Sequence, residues 1–327
     1  MHFDCSVDYE RSYRMLTVTR YFDAHCDTLS RIAYTCAKLS DNDFHISLKK
    51  AAAFSHYAQV FAVFNDSGRG LDRAQEGYKA QLDAMDALAA DPANRLALCL
   101  SADDVERAWA RGESAAILAV EGAEQIPDYD LSAAYARGVR LVTLTWNHAN
   151  ALGGSCAEGA GLTEKGRAFV REANRLGVAL DLSHGSEALF WDTLEQSRRP
   201  ILTSHSNAKA ICMHRRNLTD AQFSALVKAG GCTGINLYAE FLTTGECTLK
   251  DVLAHIEHFF SLGGEDSVTL GTDFDGCDRL PREIRSVADM PRLAEALSKL
   301  GYSETQIEKI FYKNLLRVLR EATAKVE

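Results

Sequence analysis

The sequence of 327 residues lacks several features that mark common classes of protein. It has only five prolines, and neither a Pro-rich linker nor a low-complexity tract divides it. Its nine cysteines are scattered, odd in number and never spaced as Cys-x-x-Cys, which argues against a disulfide framework or a structural zinc site and fits a reducing cytoplasm. No run approaches the ~20 apolar residues of a membrane span. The N-terminal stretch MHFDCSVDYERSYR carries charges where a signal peptide is apolar, so a soluble, cytoplasmic protein is expected.

Positive charge is also in short supply. The 45 acidic residues outnumber the 36 basic ones and give a formal net charge of −9. This excess disfavours binding to nucleic acid, and without a polybasic stretch the chain offers no surface to anionic lipid. The sequence therefore predicts a small-molecule substrate, with neither nucleic acid nor a membrane as a partner.

Apolar, β-branched segments recur along the chain, with segments of helical periodicity between them. Eight of them have the character of strands: TRYFDA, AQVFAVF, AAILAVE, VRLVTLT, VALDLS, PILTS, CTGINL and SVTLGT. Strands that are apolar nearly throughout, each followed by a helix that can cross over, indicate a parallel sheet. Eight of them predict an α/β fold of the closed (β/α)8 TIM-barrel type. An open doubly wound sheet is the alternative.

The length would allow two domains, but the unbroken rhythm of strands and helices predicts one barrel domain over residues 1–327. A hydrophobic content of 46% at this length is enough to bury a large core. The segment SETQIEKIFYKNLLRVLREAT predicts a C-terminal helix with an apolar stripe.

Side chains that can bind metals follow the predicted strands from one end of the chain to the other. In DAHCD, His25 and Asp27 stand two residues apart and would point to the same face if extended. Four further candidates end other strands: Glu121, His184, His205 and Asp273. Imidazole and carboxylate are usual ligands of zinc, and the carboxyl ends of parallel barrel strands meet in one mouth. The pattern indicates a metallohydrolase.

Each of these residues also has a structural interpretation. A single His on a strand is more often hydrogen-bonded or exposed than a ligand, Glu121 could be a surface acid, and DFDG around Asp273 and Asp275 is also good turn chemistry. The metal interpretation is favoured because His184 and His205 each follow a Ser at a strand end and open a loop, where a barrel carries its chemistry.

The other histidines lack this context. His255 and His258 lie three residues apart on a predicted helix and are expected to be solvated. Four more fall in predicted loops or helices without a carboxylate at ligand spacing: His2, His45, His56 and His214.

In their order along the chain, the motifs resemble those of the membrane or renal dipeptidases, the M19 group of the amidohydrolase superfamily. The resemblance covers about residues 22 to 278 and rests on DAHCD, AVEGAE, LDLSH, TSHSNAKAICMHRRNLTD and LGTDFDG. It implies two zinc ions per chain, one held by His25 and Asp27, the other by His184 and His205, with Glu121 bridging both. It also implies hydrolysis of dipeptides, in many members with tolerance for a D-residue at the C-terminal position. Members often dimerise, so a homodimer is an expectation.

The chemistry that the resemblance implies requires such ligands. Two ions roughly 3.5–4 Å apart can share a water, generate hydroxide near neutral pH and polarise the scissile carbonyl. Many relatives in the wider superfamily bridge their metals with a carboxylated lysine from the fourth strand, but LVTLTWNH contains none, which favours the dipeptidase branch. Asp273 is the candidate to accept the hydroxide proton and pass it to the leaving amine, and it could also pair with the substrate ammonium. Asp275 is the alternative.

A dipeptidase must also bind the C-terminal carboxylate of its substrate. By resemblance the cation is Arg216, whose guanidinium can bind a carboxylate through two parallel hydrogen bonds, while Arg215 beside it is solvated or structural. The family usually has a histidine directly after the Thr of the fourth strand, where it stabilises the oxyanion. Trp146 occupies that position here, and His148 is the candidate replacement.

The sequence thus predicts a zinc-dependent dipeptidase. Two alternatives stay open. Another dinuclear amidohydrolase, such as a deacylase or lactonase, would share the metals but not the clamp at Arg216. A barrel that binds metal without catalysis is the second, and the complete ligand set argues against it.

Overall fold

The computed structural model describes residues 18–35 and 37–324, so the predictions for the N-terminal stretch and for His2 lie outside it. Its strands all belong to one parallel sheet. They are β1 (Arg20–Cys26), β2 (His56–Phe64), β3 (Leu96–Leu98), β4 (Ser114–Glu121), β5 (Val139–Thr143), β6 (Ala179–Asp181), β7 (Leu202–Thr203), β8 (Cys232–Ile235) and β9 (Val268–Leu270).

The sheet closes into a barrel because β2 pairs with β4 as well as with β1. This ladder runs from Ala58 opposite Ala115 to Phe64 opposite Glu121. The order around the ring is β1, β2, β4, β5, β6, β7, β8 and β9, the eight strands expected from the sequence. The (β/α)8 prediction is confirmed, and closure excludes an open doubly wound sheet. The short strand β3, which was not predicted, pairs with the first three residues of β4.

Helices surround the ring and connect its strands. Their bounds are α1 (Thr28–Thr35), α2 (Leu48–Ala51), α3 (Leu71–Ala90), α4 (Ala102–Ala110), α5 (Leu131–Ala136), α6 (Glu164–Leu176), α7 (Glu187–Gln196), α8 (Asp220–Lys228), α9 (Ala239–Leu242), α10 (Leu249–Ser261), α11 (Pro291–Lys299), α12 (Glu304–Glu308) and α13 (Asn314–Thr323). Among the described residues, none of these helices is both long and apolar enough to span a bilayer.

The C-terminal segment packs against the end of the barrel at which the strands begin. It consists of α12, a π-helical turn over Lys309–Lys313 and α13. The turn buries Phe311, whose ring lies 6.2 Å from that of Tyr21 near the start of β1. Tyr21 also stacks on Phe54 at 4.6 Å. This end of the barrel is therefore filled with aromatic side chains, and the polar candidates lie at the other end.

Candidate metal centre

Residues that can bind a metal meet at the carboxyl end of the barrel. His25 lies on β1, with Asp27 just beyond it, and Glu121 is the last residue of β4. His184 and His205 follow the ends of β6 and β7 within three residues. Because parallel strands end at one edge, these five residues come together, and all are buried. We call them the metal cluster.

Glu121 lies at the centre of the metal cluster. Its Oε1 is 2.9 Å from His184 Nε2 and 3.3 Å from His205 Nε2, while its Oε2 is 3.7 Å from His25 Nε2. The Nε2 atoms of His184 and His205 are 3.0 Å apart. The two oxygens of one carboxylate thus face imidazoles from opposite sides of the barrel mouth.

Two more carboxylates lie near His25. Asp27 Oδ2 is 3.6 Å and Asp273 Oδ1 is 3.8 Å from His25 Nε2. Ligand atoms within 4.8 Å of one another form two overlapping groups, one of His25, Glu121 and His205, the other of His25, Asp27 and Asp273. An imidazole nitrogen has one lone pair, so His25 can serve only one of two neighbouring cations.

Several buried polar atoms here lack a hydrogen-bond partner among the described residues. They include both ring nitrogens of His25 and Oδ1 of Asp27. A buried polar group without a partner is costly, and such groups call for an unseen water or ion. Nitrogen and oxygen donors that converge without partners fit a divalent cation of the zinc type.

The electrostatics of the cluster also favour a cation. Burial lowers the pKa of His25, but the carboxylates of Glu121, Asp27 and Asp273 outweigh it and raise the pKa to about 10. Burial, reinforced by Asp27 and Asp273, raises the pKa of Glu121 well above its ordinary value. Burial and the nearby Asp27 carboxylate raise the pKa of Asp273 to about 6. The crowded carboxylates therefore favour binding of positive charge.

Outer hydrogen bonds orient two of the three imidazoles. His184 Nδ1 lies 2.9 Å from Asn147 Oδ1, and His205 Nδ1 lies 2.7 Å from Ser204 Oγ. Ser204 Oγ in turn donates to Asp181 Oδ2 at 2.6 Å. Because each Nδ1–H donates outward, each Nε2 keeps its lone pair directed into the cluster.

The backbone is unusual at three of the candidate residues. His184 has φ 69°, Asp273 has φ 61° and Asp275 has φ 69°, in the left-handed region that costs a non-glycine residue about 1–3 kcal/mol. Gly276 packs directly against this site, because a Cβ there would collide with carboxylate oxygens of Asp27 and Asp273. The DFDG motif is thus a strained turn whose shape brings Asp273 to the cluster.

Asp273 and Asp275 differ in what their carboxylates contact. Asp275 accepts hydrogen bonds from Thr28 Oγ1 at 2.6 Å and from the backbone N–H of His45 at 2.7 Å. Asp273 accepts one bond from Asn236 Nδ2 to its Oδ2 at 3.0 Å, which leaves Oδ1 facing His25. Asp275 therefore holds loops together, whereas Asp273 has an oxygen directed at the site.

Arg216 is buried beside the metal cluster, while Arg215 is exposed. One terminal nitrogen of Arg216 lies 3.4 Å from the His205 carbonyl oxygen, and its guanidinium lies 5.5 Å from the centre of the Phe241 ring. Its Nε has no hydrogen-bond partner among the described residues. A buried guanidinium with an unused donor is suited to bind an anion.

His148 is exposed, and Trp146 lies nearer the cluster. The Trp146 ring is 6.0 Å from the His184 ring and 5.8 Å from the His148 ring. A Cβ on Gly68 would lie 2.9 Å from His148 Nε2, so His148 packs along the loop after β2. The role of His148 as an oxyanion donor stays a prediction.

Sequence reasoning missed three supporting residues, Asn147, Asp181 and Ser204. In the sequence, Ser204 and His205 served only to mark the end of a strand. A hydroxyl next to a candidate ligand histidine is, however, one signal of a residue that orients the imidazole through a hydrogen bond. The prediction for His255 was wrong. It is buried, its Nδ1 accepts from the Ala208 backbone N–H at 3.0 Å, and burial lowers its pKa to about 4. His258 is partly exposed and pairs with Asp220 at 2.8 Å.

Comparison with known proteins extends over nearly the whole chain. A sequence model of the family described as membrane dipeptidase, peptidase family M19, matches residues 9–327. Dipeptidase tcpJ of Claviceps purpurea (strain 20.1) is 30% identical over 329 residues, covering 93% of this chain and 77% of the relative.

Two solved structures share the fold over nearly the whole chain. One, described as the dipeptidase AC, a metallopeptidase of family M19, has a TM-score of 0.87 and 30% identity, covering 94% of this chain and 99% of that one. The other is a metallopeptidase from Rhodobacter sphaeroides liganded with a phosphinate mimic of the dipeptide L-Ala-D-Ala. Its TM-score is 0.86 at 29% identity, with 93% of this chain and 99% of that one covered.

Proposed function

Because this chain belongs to the membrane dipeptidase family, peptidase family M19, and is a metal-dependent dipeptidase, we propose that the metal cluster is its active site and holds two zinc ions. The observation that carries the proposal is the position of Glu121. Its Oε1 faces His184 and His205, and its Oε2 faces His25. A carboxylate placed in this way can bridge two cations that have separate imidazole ligands.

The metals would supply Lewis acidity for the scissile carbonyl and for the attacking water. The chain supplies the proton path. Asp273 Oδ2 is held by Asn236, so Oδ1 is free to take a proton from the water and return it to the nitrogen of the leaving amine. His148, on the loop after β5, would be the hydrogen-bond donor to the oxyanion of the tetrahedral intermediate.

Arg216 would define the length of the substrate. It is buried, carries an unused Nε–H and lies beside His205, so a carboxylate that reaches it replaces a missing hydrogen-bond partner. A free C-terminal carboxylate one residue from the scissile bond meets this requirement, whereas an amide or ester there does not. This distinguishes a dipeptidase from a deacylase or lactonase built on the same metals.

The experiment compares free dipeptides with their C-terminal amides on zinc-reconstituted enzyme. Arg216→Ala should cost about 2–5 kcal/mol in kcat/KM with dipeptides, the range for truncating one partner of a buried charge pair, and Arg216→Lys should rescue only in part. Arg215→Ala at the exposed neighbour is the matched control and should retain activity. Equal rates for dipeptides and amides in the unmutated enzyme would contradict the proposal.

The stereochemistry of the substrate is a further part of the proposal. The Rhodobacter sphaeroides metallopeptidase binds a mimic of L-Ala-D-Ala, which supports acceptance of a D-residue at the C-terminal position here. Hydrolysis of L-Ala-D-Ala at a rate within about tenfold of L-Ala-L-Ala would agree with this, since one pocket contact is worth about that much. A cytoplasmic location and a homodimer stay predictions from sequence.

A further inference from the structure

A pocket of about 430 Å³ adjoins the metal cluster beside the loop that joins β2 to α3. Phe64 and Trp146 form one wall of it. Phe64 is the strand partner of Glu121, and the Trp146 ring is 6.0 Å from the His184 ring, so this wall borders the cluster. The volume is within the range of small-molecule sites, and none of the residues that line the pocket belongs to the metal cluster.

The position of the pocket relative to Arg216 suggests what it receives. In the ring of eight strands, β2 and β7 lie opposite each other, with three strands between them in either direction. Arg216 is on the loop after β7. Most of the residues that line the pocket lie between the end of β2 and the first turn of α3, and Trp146 closes it from the loop after β5. If Arg216 holds the substrate carboxylate and the metal cluster holds the scissile bond, the N-terminal residue extends toward the pocket.

The lining of the pocket indicates which side chain fits. The rings of Phe64 and Trp146 lie 4.8 Å apart at 52° and present an aromatic wall. Asn65 is already satisfied, because its Nδ2 donates to Gln125 and its Oδ1 accepts from Tyr34 and Gln81. The polar floor therefore offers little to a polar ligand, and the aromatic wall favours an apolar one.

Charged side chains at the rim of the pocket also affect which substrate side chain it can bind. Arg69 pairs with Asp66 at 3.1 Å, which neutralises both. Arg73 also lines the pocket, is exposed and forms no ion pair with the residues that the structure describes. The rim thus carries a net positive charge, which disfavours a cationic side chain.

We propose that this pocket binds the side chain of the N-terminal residue of the dipeptide and that Trp146 determines a preference for large apolar, above all aromatic, side chains there. The proposal rests on the proposed function. The structural alternative is that Trp146 only supports the His184 ring. In that case its loss would harm all dipeptides equally.

The test uses zinc-reconstituted enzyme and two substrates with the same C-terminal residue, Phe-Ala and Ala-Ala. Unmutated enzyme should prefer Phe-Ala, and Trp146→Ala should reduce kcat/KM for Phe-Ala about tenfold or more, mainly through KM, with a much smaller loss for Ala-Ala. Trp191→Ala on α7, an exposed tryptophan, is the matched control and should change neither. Metal content is measured for each variant.

A second variant leaves the aromatic wall of Phe64 and Trp146 unchanged. Arg73→Glu changes only an exposed side chain and should raise the ratio of kcat/KM for Lys-Ala over Glu-Ala by about threefold or more. Equal losses for Phe-Ala and Ala-Ala in Trp146→Ala, or an unchanged charge ratio in Arg73→Glu, would overturn the pocket assignment while dipeptidase activity stands. If unmutated enzyme hydrolyses no dipeptide, the proposed function itself fails.

Discussion

The imidazoles of His184 and His205 differ from that of His25 in what their second ring nitrogen contacts. His184 Nδ1 bonds to Asn147, and His205 Nδ1 bonds to Ser204, which donates to Asp181. Neither ring nitrogen of His25 has a partner among the described residues. We call the first pair the β6–β7 side and His25 with Asp27 the β1 side.

Each side also has a buried aspartate on its strand, Asp181 on β6 and Asp23 on β1, but only Asp181 is linked to an imidazole ring through an outer hydrogen bond. Asp181 accepts hydrogen bonds from Thr143 Oγ1 at 2.7 Å and from Ser204 Oγ, which continues to His205. Asp23 accepts from Tyr21, from Thr272 and from the backbone N–H of His25, not from its ring. Protein hydrogen bonds thus orient the imidazoles of the β6–β7 side, whereas the His25 ring has no hydrogen-bond partner among the described residues and a bound metal would have to hold it.

The comparison predicts two metal positions of unequal strength, with the ion on the β6–β7 side bound more tightly. Glu121 faces imidazoles of both sides, so its removal tests both metal positions at once. Glu121→Ala should weaken both positions and reduce dipeptidase activity to background, because each ion loses a ligand. Elemental analysis after zinc reconstitution measures this. Loss of only one ion would mean that Glu121 does not bridge.

Substitution of Asp273 tests whether it is a third carboxylate ligand near His25, after Asp27 and Glu121. If Asp273 carries protons, Asp273→Asn should keep both metals and lose at least about 10²-fold in kcat, the scale of general acid–base catalysis. Asp275→Asn is the matched control. Since Asp275 bonds to Thr28 and His45, its change should lower stability by about 1–3 kcal/mol and kcat much less. A vacant metal position in Asp273→Asn would instead make Asp273 a ligand.

Removal of the hydrogen bond between Ser204 and the His205 ring should have a smaller and more specific effect than the substitutions of Glu121 and Asp273. Ser204→Ala cuts the link from Asp181 and should weaken the tighter metal position about 10–100-fold, leaving the weaker one unchanged. Thr143→Val is the control, since it removes another donor to Asp181 without touching His205. Competition with a zinc chelator resolves the two affinities. If Thr143→Val and Ser204→Ala weaken zinc binding equally, the hydrogen bond to the His205 ring does not cause the difference in affinity between the two sides.

Much of the fold follows from local pattern. The eight apolar segments form the ring of the barrel because strands buried on both faces are apolar nearly throughout, and this character is visible in each segment by itself. The position of His25, Glu121, His184 and His205 at strand ends is equally local, and parallel closure is enough to bring them together. The strand β3 was missed because three residues, Leu96–Leu98, carry too little periodicity.

Other features depend on contacts between distant parts of the chain. Closure of the ring is decided by the pairing of β2 with β4, and burial of His255 by its bonds to Ala208 and Leu242. The difference between the two sides of the metal cluster arises because a hydroxyl and a carboxylate 23 residues apart meet at His205 but have no counterpart at the His25 ring. The sequence by itself determined which side chains reach the barrel mouth, because strand direction and side-chain alternation are local. Tertiary structure alone decided which of them are held in place, because hydrogen-bond partners are chosen by packing across strands.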